Sequence, residues 1–89
     1  MSTPLFCLNP IYRLQFETAQ DAYVLLYPEG MIQLNGPASE ILQLCSEPTS
    51  AERIVATLQK KFPEAEELAD DVAEFIEQAF AENWLLEQG

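Results

Sequence analysis

The sequence predicts a small α+β domain, a three-stranded antiparallel sheet followed by three helices, and three observations carry that prediction. The first third of the 89 residues alternates or runs apolar in the manner of strands. From Gly36 the hydrophobic period switches to a helical one, and Pro28-Glu29-Gly30 puts turn chemistry between two of the strand runs. Strands first and helices afterwards is an α+β order, not the alternation of an α/β chain. Residues 12–89 read as one domain and residues 1–11 as an N-terminal tail outside it, open to disorder. A chain of this length buries roughly 60–65% of its unfolded surface, which allows one modest core.

In the first strand, Tyr12, Leu14 and Phe16 fall on one face and Arg13, Gln15 and Glu17 on the other. The run Ala22-Tyr23-Val24-Leu25-Leu26-Tyr27 is apolar throughout, as expected of a strand covered on both faces. Met31–Asn35 follows the turn as a short third strand, and closeness in sequence makes a hairpin the economical pairing. Pro37 suits a first helical turn, and Ala38, Ile41, Leu42 and Cys45 recur at helical spacing until Ser46-Glu47-Pro48 ends the run. Thr49-Ser50-Ala51-Glu52 matches a capping box, with the Thr49 hydroxyl and the Glu52 carboxylate as its caps. Ile54, Val55, Leu58 and Phe62 then form the stripe of a second helix, stopped at Pro63. The third helix has the strongest pattern, an apolar face running through Leu68, Val72, Phe75, Ile76, Ala79, Phe80 and Trp84.

Charge narrows the function classes. Four basic residues against fifteen acidic ones give a formal net charge of −11, with no histidine. Residues 1–61 hold a balance of −2, while residues 62–89 hold nine acids and no base. Such a chain repels phosphate backbones and anionic bilayers, so neither nucleic acid nor membrane is an expected partner. The lack of histidine removes the commonest general base and metal ligand. No phosphate loop, dinucleotide fingerprint, nucleophile elbow or zinc-protease motif is present, and Asp70 and Asp71 have no oxygen-rich loop beside them. The sequence points to no enzyme, no cofactor and no metal. Cys7 and Cys45 read as free thiols of a reducing cytoplasm, Cys45 on a buried stripe and Cys7 in the tail. No apolar run approaches the ~20 residues that span a bilayer.

What remains is a surface that binds. The short third strand follows a glycine turn and leads straight into a helix, so it reads as the edge of the sheet. An edge offers unpaired amides and carbonyls, which an extended peptide satisfies by adding as another strand. Selectivity would come from pockets between this strand and the third helix.

Tyr12-Arg13-Leu14-Gln15-Phe16-Glu17, then Tyr23-Val24-Leu25-Leu26-Tyr27-Pro28-Glu29-Gly30-Met31-Ile32-Gln33-Leu34-Asn35, resembles the PqqD family of pyrroloquinoline quinone (PQQ) biosynthesis. The resemblance continues through Ala38, Ile41-Leu42, Leu44-Cys45, Ile54, Asp71-Val72 and Phe75-Ile76 to Asn83-Trp84-Leu85. It covers roughly residues 12–86, and Leu25-Leu26-Tyr27-Pro28-Glu29-Gly30 with Leu34-Asn35 is its most specific part. The chain departs from the family pattern at Asn83, where glycine is common, and at Ser46-Glu47, where Asp-Gly is usual.

The resemblance implies a winged helix-turn-helix-like fold acting as a recognition element for a ribosomally made, post-translationally modified peptide (RiPP). By that implication the domain captures the precursor peptide (PqqA) and presents it to a radical SAM enzyme (PqqE). Strand pairing would fall on Gly30, Met31, Ile32, Gln33, Leu34 and Asn35, and the helix contacts on Asp71 and Phe75. Two other classes stay in view. A carrier of the finished quinone is the alternative, although an acidic surface matches a tricarboxylate poorly. A DNA-binding winged helix would have only Arg53, Lys60 and Lys61 to offer over its second and third helices. The oligomeric state, monomer or homodimer, is not fixed by the sequence.

Overall fold

The computed structural model describes residues 5–88. In chain order the elements are β1 (Leu5–Leu8), β2 (Arg13–Glu17), β3 (Ala22–Tyr27), β4 (Gly30–Gln33), α1 (Gly36–Leu44), α2 (Ala51–Lys61), α3 (Leu68–Ala81) and β5 (Leu85–Gln88). The α+β class and the three helices are as expected. The strands, however, form two antiparallel sheets, β2-β3-β4 and β1-β5, where a single three-stranded sheet is predicted.

The three-stranded sheet is the predicted one. Leu14 faces Leu25 and Phe16 faces Tyr23 across β2 and β3, while Leu25 faces Ile32 and Tyr27 faces Gly30 across β3 and β4. The alternation in β2 therefore puts Tyr12, Leu14 and Phe16 on one face, where aromatic pairs form across strands. Tyr12 meets Tyr27 with ring centroids 5.7 Å apart, and Phe16 meets Tyr23 edge-on at 5.2 Å. Val24 and Leu25, on opposite faces of β3, are both buried, as the unbroken apolar run implies.

The second sheet corrects the reading of residues 1–11 as a tail. Leu5 to Leu8 pair with Gln88 to Leu85, so much of that segment belongs to the domain; residues 1–4 lie outside the described residues. On its other side β1 is held by the loop between α1 and α2. Phe6 and Thr49 exchange N–H···O bonds at 2.8 Å in both directions, and the Leu8 amide donates to the Cys45 carbonyl at 2.8 Å. Phe6 is 6% exposed and meets the Phe80 ring edge-on at 5.5 Å. Leu5-Phe6-Cys7-Leu8 shows no alternation, and its partner lies about eighty residues away, so neither local periodicity nor turn chemistry marks it.

The helix ends bear two further corrections. The cap of α2 is Ser50, whose hydroxyl accepts from the Arg53 amide at 3.2 Å; Thr49 is instead in the bridge to Phe6. Helix α3 stops at Ala81, so Trp84 does not continue its stripe. Asn83 takes a left-handed conformation (φ 63°), its amide donates to the Phe80 carbonyl, and the Trp84 amide donates to the Ala79 carbonyl at 2.8 Å. This is a Schellman closure with asparagine where glycine is commonest. It turns the chain back so that Trp84 and Leu85 are buried against the core of Leu25, Leu42, Ile54, Val72 and Ile76.

Candidate functional site

Strand β4 is the last strand of its sheet, and among the described residues nothing pairs with its outer side. One hydrogen bond fixes which groups are vacant. The Leu34 amide, just past β4, donates to the Tyr23 carbonyl at 3.0 Å. In an antiparallel ladder the amide and carbonyl of one residue point the same way, and the direction alternates along the strand. Leu34, Ile32 and Gly30 therefore turn their backbone groups to β3, while Met31 and Gln33 turn theirs outward. Asn35 belongs to the helix that follows. Its side-chain Oδ1 accepts from the Ala38 amide at 2.8 Å and its carbonyl accepts from the Ser39 amide at 3.0 Å, so it is the N-cap of α1.

Side chains alternate too. Ile32 and Leu34 face the core side, half-buried and buried, whereas Met31 is 49% exposed on the opposite face. On the core side, beside the open edge, lies a groove of about 710 Å³. Its floor and walls include Ile32 and Leu34, Ile41 of α1, Leu58 of α2, and Val72 and Phe75 of α3. The Phe75 ring is half-buried and leans on Trp84, centroids 6.2 Å apart, while Asp71 stands exposed at the rim.

The predicted positions thus divide. Ile32, Gln33, Leu34, Asn35, Asp71 and Phe75 line one groove, while Met31 contributes backbone to the edge and Gly30 closes the hairpin. Unpredicted are the contributions of α1 and of the α2–α3 loop, from which Phe62 and Ala65 line the groove. That loop is pinned by the Gln59 carboxamide, which donates to the carbonyls of Phe62, Pro63 and Ala65 at 3.3–3.5 Å. Phe62 itself is 44% exposed, so it does not belong to the buried stripe of α2.

The groove is apolar with an acidic rim. Glu40 lines it, and its carboxylate is held by the Lys61 ammonium at 2.7 Å. Arg13, Arg53 and Lys60 do not line it. Among the described residues no group of three or more acidic, cysteine or histidine side chains could hold a metal. No helix among them is long and apolar enough to cross a membrane.

Residues 22–85 match the model of the family described as coenzyme PQQ synthesis protein D (PqqD). Among curated proteins, the PqqA binding protein of Pseudomonas paraeruginosa is 47% identical over 89 residues, spanning 96% of this chain and 97% of the relative. The PqqA binding protein of Kluyvera intermedia is 47% identical over 74 residues, covering 83% and 80% of the two chains. Among solved structures, the fold superposes with a TM-score of 0.75 on the solution NMR structure of the PqqD truncation of Methylobacterium extorquens PqqCD. That protein is described as a functional, stand-alone RiPP recognition element, and 92% of this chain and 88% of that one are aligned at 21% identity.

Proposed function

The chain belongs to the PqqD family, and on that premise we propose that it is a non-catalytic peptide chaperone of PQQ biosynthesis. It binds the ribosomal precursor peptide PqqA as an added strand on β4 and presents it to the radical SAM enzyme PqqE in the cytoplasm. The observation that carries this reading is the outward backbone of Met31 and Gln33 bordering an apolar groove. Two amides and two carbonyls give a peptide main-chain partners, and the groove receives its side chains. Holding the peptide extended removes much of its conformational freedom before the enzyme meets it. The frame is winged helix-turn-helix-like but turned from nucleic acid to peptide, since Arg53, Lys60 and Lys61 are far outnumbered by the acids after them. As a quinone carrier it would need cations for three carboxylates, but no basic side chain among the described residues lines the groove, and Lys61 is paired with Glu40.

The test is titration of the protein with Pseudomonas aeruginosa PqqA, followed by amide chemical shifts. Shifts are expected to concentrate in residues 30–36 and 68–80; a spectrum that does not move overturns the reading. Gln33→Pro removes an outward donor without breaking the bonds of β4 to β3, and is expected to weaken binding by about five- to tenfold, at ~1 kcal/mol per hydrogen bond. Undiminished affinity in a folded variant would reject strand addition.

A further inference from the structure

The phase of β4 dictates more than where a peptide lies. Any strand added at Met31 and Gln33 has a fixed alternation relative to the groove. Its residues opposite Met31 and Gln33 exchange hydrogen bonds, and their side chains fall on the far face of the sheet, beside Met31. Its residues opposite Ile32 and Leu34 make no bonds to β4, and their side chains enter the groove. The side-chain facing holds for either direction of the peptide; these bonding partners are those of an antiparallel strand, and in a parallel one the residues opposite Ile32 and Leu34 make the bonds instead.

The groove then sets the chemistry of those alternate positions. Ile32, Leu34, Ile41, Leu58, Val72 and Phe75 offer apolar surface. The charged groups along the lining are Glu40 and Asp71, both acidic, and Glu40 is paired with the Lys61 ammonium at 2.7 Å. An acidic side chain entering here would be desolvated against like charge with no cation to meet it. A basic one finds the exposed carboxylate of Asp71 at the rim, next to the acidic start of α3 with Asp70 and Glu74, whereas Glu40 is already held by Lys61.

Resting on the reading of β4 as the docking edge, we propose that the groove selects its peptide by pattern. The docked segment carries apolar side chains at positions i and i+2, over Ile32 and Leu34, and a basic side chain on the flank that meets Asp71. Acidic residues are rejected at the groove-facing positions and tolerated at the intervening ones, which look away from the groove.

A substitution scan tests this. Each residue of the P. aeruginosa PqqA peptide is replaced in turn by Asp and by Lys, and affinities are measured by calorimetry near physiological salt. Within the docked segment, losses from Asp are expected to alternate with a period of two. They should reach about 30-fold or more at groove-facing positions and stay within about threefold between them. Lys should be accepted best at one flanking position, and Asp71→Lys in the protein should reverse that preference in favour of Asp. Losses that are uniform, or that recur every three to four residues, overturn the pattern while leaving peptide binding intact. An Asp71→Lys protein that keeps the wild-type preference removes the basic contact. Failure of the unmodified peptide to bind would instead strike the functional reading itself.

Discussion

Cys45 has no solvent exposure, and burial pushes its thiol pKa up to about 12 from an ordinary 9.0, with Cys7 adding a smaller push in the same direction. A thiol whose folded pKa exceeds its unfolded one contributes stability that is complete below pH 9 and is lost as pH rises toward 12. Unfolding free energy measured by denaturant melts is expected to fall above pH 9 by up to about 1.4 kcal/mol per pH unit from this one group. Cys45→Ala should flatten that slope while lowering stability at neutral pH; an unchanged slope would place the alkaline sensitivity elsewhere. At the same scale, Asn35 shows what a strand pattern hides. Its place after Gln33-Leu34 reads as one more strand residue, but its short amide side chain is worth more as a cap for Ala38.

Among elements, β1 carries the largest mechanical consequence. Phe6 is buried against Phe80 and exchanges backbone bonds with Thr49, so β1 ties α3 to the loop between α1 and α2. Phe6→Ala is expected to cost about 3–5 kcal/mol, a large part of what so small a domain has, and thermal melts will measure it. A change below about 1 kcal/mol would mean the first strand is dispensable. The legibility of the elements follows the range of their signals. Helix α3 was readable because Leu68, Val72, Ile76 and Ala79 repeat within one segment, and β2 because its alternation is local. The β1–β5 pairing leaves no such trace, for each strand has four residues and its partner is at the other end of the chain. Trp84 looked helical because sixteen residues after Leu68 is in phase, yet it reaches the core through the left-handed turn at Asn83. In the groove, β4 and α3 were legible as edge and stripe, whereas Phe62 and Ala65 arrive through a loop held by Gln59. No period marks such a loop.

Over the whole molecule the decisive quantity is the uneven charge of −11. The first turns of α3 set Asp70, Asp71 and Glu74 side by side, and like charges at helical spacing cost a few tenths of a kcal/mol per pair. The Lys61–Glu40 pair, with Lys61 56% exposed, offsets little of this. Screening should therefore help the fold: raising NaCl from about 20 mM to about 300 mM is expected to raise the Tm by a few degrees, as the Debye length shrinks below the spacing of these carboxylates. A falling Tm would show that attraction, not repulsion, dominates the surface. The same pairing that draws residues 5–8 into the core also places Leu5 opposite Gln88. Leu5 and Gln88 being direct cross-strand neighbours, a short tether between those two points would close residues 5–88 into a ring. The ring could then be reopened at the exposed Thr18-Ala19-Gln20 bend, giving a circular permutant with its β4 edge and groove intact.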